Sequence, residues 1–234
     1  MIYKTAGIAI VTGGSGGIGK AIALKLADNG ITVVVADIVA LDKEYKNLIY
    51  RECDVTNGEA VDSLYGWTIS NVGEPNILIL NAGRGIHERL TEGDPEKWQN
   101  ILHLNVMGVL RCIRAFVPLL EKNGKGDVIF ISSVSANQPY SYGGVYSASK
   151  AAVNMIAETL RIETQPNVRV TIVNAGITDT GFFDNQVSGH TNVDDIGMGS
   201  LGAEDVADDV FYAISKKNGT NINSITTRPS GQNF

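Results

Sequence analysis

Residues Gly7 to Asn29 read GIAIVTGGSGGIGKAIALKLADN, and the order of features within them decides the fold. Gly7 to Thr12 is a short apolar run of the kind buried on both faces of a parallel sheet. It runs directly into a turn, Gly13 to Gly19, spaced T-G-x-x-x-G-x-G rather than the more general G-x-G-x-x-G. Lys20 to Asn29 then has helical spacing through Ile22, Leu24 and Leu26, with Asn29-Gly30 as a stop signal. A merely flexible turn would not need both flanks. Between a strand and a helix, glycines let a pyrophosphate approach the backbone, and the helix start offers unpaired N–H groups to hold it.

Strands and helices continue to alternate from there. Ile31 to Ala36 reads as a second strand ending at Asp37, and a short helix is expected at roughly Leu41 to Asn47. Leu48 to Cys53 is a third strand, followed by Asp54-Val55-Thr56 and a helix capped by Asn57 that runs to about Asn71. Ile77 to Leu80 is a fourth strand, ending at Asn81-Ala82-Gly83. A long helical region from Pro95 to about Lys122 carries Asn105 in its interior, where an amide is a poor helix former. That asparagine is either solvated or needed inward. After the strand at Val128 to Ile131 come a helix from Tyr146 to about Thr164 and a strand at Val168 to Val173. A last helix spans Ala203 to Lys217 and a last strand Ile222 to Thr227. The segment Ile177 to Leu201, rich in Gly, Asp and Asn, leaves the end of a strand, where open α/β sheets place ligands, and is read as a mobile lid, with a disordered stretch as the alternative. With no repeat and no linker, the pattern predicts a single α/β domain, a doubly wound parallel seven-stranded sheet (Rossmann fold).

The chemistry concentrates in Val128 to Lys150, VIFISSVSANQPYSYGGVYSASK. Ser132-Ser133 ends the apolar run, and Tyr146 and Lys150 are four apart on one face of the following helix. Free tyrosine, with a pKa of about 10, is a poor base near neutrality. A nearby ammonium favours the phenolate, so the phenol becomes able to exchange protons at working pH. Ser135, Asn137, Tyr140, Tyr142 and the lid are expected to line the substrate pocket. Arg84 is read first as a surface residue, with anchoring of a carboxylate as the alternative.

Composition narrows the classes. The net charge is −6 with no basic block, which argues against a nucleic-acid or anionic-membrane partner. Cys53 and Cys112 form no metal or C-x-x-C spacing and read as buried thiols, and the three histidines are scattered, so no metal site is expected. Asn218-Gly-Thr220 matches a glycosylation sequon with no leader ahead of it, and no apolar stretch approaches a membrane span, so the expectation is a cytoplasmic protein.

Taken together, Thr12-Gly13, Gly17-Ile18-Gly19, Asp54, Asn81-Ala82-Gly83, Asn105, Ser133 and Tyr146…Lys150 resemble the short-chain dehydrogenase/reductase family over essentially the whole chain. The resemblance implies that Tyr146 is the general acid/base and that Lys150 lowers its pKa and bonds the nicotinamide ribose. It implies that Ser133 positions the substrate oxygen and that Asn105 holds a water in a relay to Lys150. The cofactor would be bound by Gly13, Ser15, Gly17, Ile18, Gly19, Asp37, Asp54, Val55, Asn81, Ala82, Gly83, Tyr146, Lys150, Ile177 and Thr180. Ala175-Gly176 departs from the family's common Pro-Gly, which bears on nicotinamide orientation. Asp37, with no cation in the glycine turn or at Ile38, points to NAD rather than NADP. Relatives commonly pair through the long helices after strands four and five, which implies a homo-oligomer, a dimer or a tetramer. The expected activity is hydride transfer between NAD(H) and a small alcohol or ketone. The alternatives are a silent nucleotide-binding regulator of the same fold and, against the short C-terminus, a nucleotide-sugar epimerase or dehydratase.

Overall fold

The computed structural model describes residues 7–189 and 196–232. The order of elements is β1 Ile8–Thr12, α1 Gly17–Asp28, β2 Thr32–Asp37, β3 Leu48–Glu52, α2 Gly58–Asn71, β4 Ile77–Leu80 and α3 Pro95–Leu102. A π-helical turn, His103–Met107, joins α3 to α4 Gly108–Lys122. Then come β5 Gly126–Ser133, α5 Gly144–Thr164, β6 Val168–Ala175, α6 Ala203–Ile214 and β7 Ser224–Thr227. The seven strands form one parallel sheet in the order β3-β2-β1-β4-β5-β6-β7. The direction of winding reverses between β1 and β4, which opens a crevice at their carboxyl ends.

Alternate residues of each strand serve opposite faces. Ile10, Leu78 and Phe130 belong to a core shared with α2, α4 and α5, where Leu64, Phe116 and Leu160 fill the layer. Ala9, Val11, Ile79 and Ile129 belong to the other core, shared with α1 and α6 through Leu26 and Val210. Burial on both faces is why these strands read as continuous apolar runs. Cys53 and Cys112 are buried free thiols in the first core.

Two expectations need comment. The helix expected at Leu41 to Asn47 does not form; residues 38–47 are turns and bends. Its side chains are spent on α1 instead. Asp42 bonds Lys20 at 2.8 Å, the Tyr45 hydroxyl donates to Asp42 at 3.1 Å, and Asn47 sits at φ 63° with its amide donating to the Ala27 carbonyl at 3.2 Å. With only Leu41 and Tyr45 to offer an apolar face, nothing repays closing a helix. The run Pro95–Lys122 is long and apolar enough, over an 18-residue window, to cross a membrane. Here Ile101, Val109, Phe116 and Leu120 dock on the body of the molecule, so its hydropathy follows from a core role.

Candidate functional site

A cleft of about 900 Å³ runs along the carboxyl edge of the sheet. Its walls include the expected catalytic and cofactor residues except Gly19 and Asn105: Gly13, Ser15, Gly17 and Ile18; Asp37, Asp54 and Val55; Asn81, Ala82 and Gly83; Ser133, Tyr146 and Lys150; Ile177 and Thr180. Of the expected substrate lining, Ser135 and Tyr140 reach the cleft, whereas Asn137 and Tyr142 are exposed and do not line it.

At one end the backbone does the building. Gly13 adopts φ 63°, a left-handed conformation that costs other residues energy. Gly19 must lack a side chain because a Cβ there would sit 2.1 Å from the Gly13 carbonyl oxygen. Its role is therefore close packing of α1 beneath the turn. Asn81 locks the same turn from β4: its amide donates to the carbonyls of Thr12 at 3.0 Å and Gly13 at 2.9 Å. The Ser15 hydroxyl is buried in this wall with no hydrogen-bond partner, beside the uncapped start of α1. An unpaired donor at a helix N-terminus suits an anionic ligand. Asp37 accepts from the backbone N–H of Ser15 at 3.0 Å and of Val39 at 3.1 Å, so its carboxylate borders the turn. Ile38 and Val39 line the wall beside it although 67% and 62% exposed; the sequence reading uses Ile38 only as a position without a cation and does not name Val39. Asp54 is tied to Thr56 through its N–H at 2.8 Å and hydroxyl at 2.7 Å.

At the other end side chains converge from several elements. Ser133 at the end of β5 stands in the same wall as the Tyr146 phenol and accepts the Ser135 N–H at 3.1 Å. Tyr146 and Lys150, only 8% and 7% exposed, reach the same wall from α5. Burial pushes the Tyr146 phenol up to about 12, with the Ser133 hydrogen bond pulling the other way. Burial also brings Lys150 down to about 8. Ser133, not Lys150, is what pulls the phenol down here. The ammonium donates to the Ile131 carbonyl at 2.9 Å and lies 5.9 Å from the Tyr146 ring centre, against the ring rather than on its oxygen.

Asn105 answers the misfit seen in the sequence. It is 1% exposed and sits in the π-helical turn, where the extra residue re-aims the side chain inward. Its carbonyl accepts the Arg84 N–H at 3.0 Å, and its amide donates to the Arg84 carbonyl at 3.0 Å and to the Ser149 hydroxyl at 3.1 Å. Ser149 in turn donates to the Tyr146 carbonyl at 2.7 Å. The side chain therefore joins the loop after β4 to the first turn of α5.

The described part of the segment expected to be a lid returns to its own start, with Asp179 N–H on the Leu201 carbonyl and Leu201 N–H on the Ile177 carbonyl, both 2.8 Å. Phe182 packs on Tyr146 with ring centres 5.6 Å apart. Residues 190–195 of the expected lid lie outside the described residues. The tail contributes Gln232, which accepts the Ile177 N–H at 3.0 Å and lines the cleft. No motif marks it in the sequence. Among the described residues no cluster of His, Cys, Asp or Glu could hold a metal ion.

Residues 7–190 match the family model for short chain dehydrogenases. The chain belongs to the short-chain dehydrogenase/reductase family. An uncharacterised oxidoreductase of Staphylococcus saprophyticus is 34% identical over 95% of this chain and 97% of its own length. One from Staphylococcus epidermidis is 31% identical over 95% and 96%. Among solved structures, the closed form of a serine dehydrogenase complexed with NADP+ superposes with a TM-score of 0.88 at 26% identity, covering 97% and 96% of the two chains. An alcohol dehydrogenase from the archaeon Thermococcus sibiricus, complexed with 5-hydroxy-NADP, gives 0.86 at 25% identity over 97% and 98%. The fold is one that binds a nicotinamide cofactor, and the chain is an oxidoreductase of this type.

Proposed function

We propose that this dehydrogenase transfers a hydride between NAD(H) and a small alcohol or ketone, with Tyr146 as the general acid/base. The observation that carries the reading is the meeting of Ser133, Tyr146 and Lys150 in one buried wall of the cleft, opposite the glycine turn. The orphaned Ser15 hydroxyl, the bare start of α1 and the glycine backbone fit a dinucleotide pyrophosphate. Asp37, Asp54 and Val55 would hold the adenosine half, and Asn81 to Gly83, Ile177, Thr180 and Lys150 the nicotinamide half. The cofactor, when bound, supplies the hydride chemistry.

The chain's own residues handle the oxygen. Ser133 donates a hydrogen bond to the substrate oxygen and Tyr146 gives it a proton, or takes one in the oxidative direction. The elevated phenol keeps its proton at neutral pH, ready to donate. Lys150, the first group of the pair to lose a proton as pH rises, favours the phenolate whenever it carries its charge. Phe182 and the Ile177–Leu201 segment, acting as a lid, exclude water. The relay role proposed for Asn105 falls to its main chain, since its side chain is occupied by Arg84 and Ser149.

NAD is proposed although both solved relatives above carry NADP-type ligands. Among the described lining residues the only Lys or Arg are Arg84 and Lys150, and both follow the reaction-end strands rather than Asp37. We further propose a cytoplasmic homo-oligomer, a tetramer, paired through α3–α4 and α5, where Leu102, Met107, Met155 and Ile162 are exposed. The deciding experiment is a screen of alcohols and ketones followed by nicotinamide absorbance, with Tyr146→Phe as the control. No turnover on any of them, or equal turnover by the variant, would refute the reading.

A further inference from the structure

Beyond the reacting trio, a second line of polar groups leaves the cleft from Ser133. Ser135 stands two residues on, its N–H held by the Ser133 hydroxyl at 3.1 Å. Its own hydroxyl stands within reach of Tyr140 as a donor that pulls the phenol pKa down, and the Tyr140 phenol lies 2.6 Å from His87 Nε2. The other ring nitrogen of His87 bonds the backbone at Gly189, on the lid. Ser135, Tyr140 and His87 all line the cleft beside Ser133 and Tyr146.

The direction of the protons follows from the ends of this line. A carbonyl at Gly189 can only accept, so His87 carries its proton on Nδ1 and Nε2 is a bare acceptor. Burial lowers the His87 pKa, which keeps the ring neutral near neutrality. Tyr140, held protonated by burial above all, gives its single proton to Nε2. The phenol oxygen then accepts the Ser135 proton. Every proton is directed outward along the line, and what remains facing the cleft is a pair of acceptors, the lone pairs of Ser135 Oγ and Tyr140 Oη.

We propose that Ser135 and Tyr140, oriented by His87, bind a hydroxyl group on the carbon next to the reacting carbonyl, so that the substrate is a hydroxyketone or the corresponding diol. This rests on the dehydrogenase reading and narrows its substrate class. An acceptor pair rewards a hydrogen-bond donor and repels a carboxylate. A ketone without the hydroxyl leaves the remaining lone pairs of both oxygens without a donor in a partly dry pocket, which is how polar sites reject apolar analogues. Phe182 and Phe183 on the lid side of the cleft supply the apolar contact for the rest of a small carbon chain. In the reductive direction the carbonyl carbon receives hydride from NADH and its oxygen a proton from Tyr146. The neighbouring hydroxyl is bound and unchanged.

The test uses matched pairs of 2-ketones of four to eight carbons, with and without a hydroxyl at carbon 3, reduced with NADH. The hydroxylated member should have the higher kcat/KM by about tenfold or more. Tyr140→Phe and Ser135→Ala should bring that ratio close to one. His87→Ala should lower it as a loss of positioning, and His87→Gln, which keeps an acceptor, should restore most of it. A wild-type ratio near one overturns the inference while leaving the dehydrogenase reading intact. So does a high ratio that survives both Tyr140→Phe and Ser135→Ala. If neither member of any pair is reduced although NADH binds, the inference and the ketone reading fall together.

Discussion

The two ends of the cleft are made in different ways. The glycine-turn end is a backbone structure: Gly13 at positive φ, Gly19 with no room for a Cβ, and a helix start with unpaired N–H groups. The reaction end is a side-chain structure, in which β5, α5, the loop after β4 and the segment after β6 each send groups to a common wall, with Asn105 of the π-helical turn behind it. A backbone site is specified by a local run of residues, whereas a side-chain site exists only once distant segments are packed. Changes at the first end should alter which cofactor binds and how tightly. Changes at the second should alter turnover.

The strongest way to break that division is Tyr146→Phe. Turnover should fall by at least ~10²-fold, with cofactor affinity within a few-fold of wild type, because the phenol oxygen is lost and the ring that packs on Phe182 is kept. Stopped-flow turnover beside a fluorescence titration of NADH checks both halves. Near-wild-type turnover would sink the mechanism. Lys150→Ala tests the boundary itself, since this one side chain is assigned to both ends. Turnover and affinity should fall together, and a variant losing only one would mean that a role has been misassigned.

At the backbone end, NAD should bind more tightly than NADP by about tenfold or more, since a like-charge contact of only ~1.4 kcal/mol already gives that factor. Calorimetric titration of both cofactors measures it, and Asp37→Ser should narrow the gap. It should also weaken NAD, because the carboxylate that would meet the ribose holds Ser15 and Val39. Equal affinities in the wild type would remove Asp37 from the ribose.

A smaller effect probes what holds the lid against the reaction end. Glu88 accepts from the Ser188 hydroxyl at 2.6 Å, the Trp98 indole at 2.8 Å and the Asp94 N–H at 3.0 Å. These bonds, Ser188 first, hold its carboxyl at about 2, below the ordinary 4.5. A lowered carboxylate pKa means the stabilisation is complete above 4.5 and is lost as pH falls toward 2. In a Trp67→Phe background, Trp98 emission should change across that window, and Glu88→Gln should flatten the change. An identical titration in both would show that Glu88 is not the latch.

The same contrast explains what could be read in advance. The glycine turn, the seven strands and the Ser133, Tyr146 and Lys150 positions were legible because apolar runs and short spacings report local structure. Asn105 is legible as a misfit and through the family resemblance, but its inward bonds to Arg84 and Ser149 are not, because a π-helical turn has no spacing of its own in sequence. Residues 41–47 were misread as helix since their bonds to α1 are long-range and outweigh a weak local preference. Gln232 and His87 leave no signal, being joined to Ile177 and Tyr140 across 55 and 53 residues of chain.

The π-helical turn at His103–Met107 amounts to one residue more than a regular helix needs. In terms of insertion and deletion, a chain shortened by Val106 could close an unbroken helix from Pro95 to Lys122. That would remove an irregular turn and raise the melting temperature. It would also rotate Asn105 relative to α4 by ~100°, releasing Arg84 and Ser149 and with them the first turn of α5. The shortened dehydrogenase should thus be the more heat-resistant and the less active of the two, a cost in stability that selection tolerates for a working site. Scanning calorimetry with an activity assay on the two chains would show it, and a deletion that kept full activity would mean the extra residue has no such purpose.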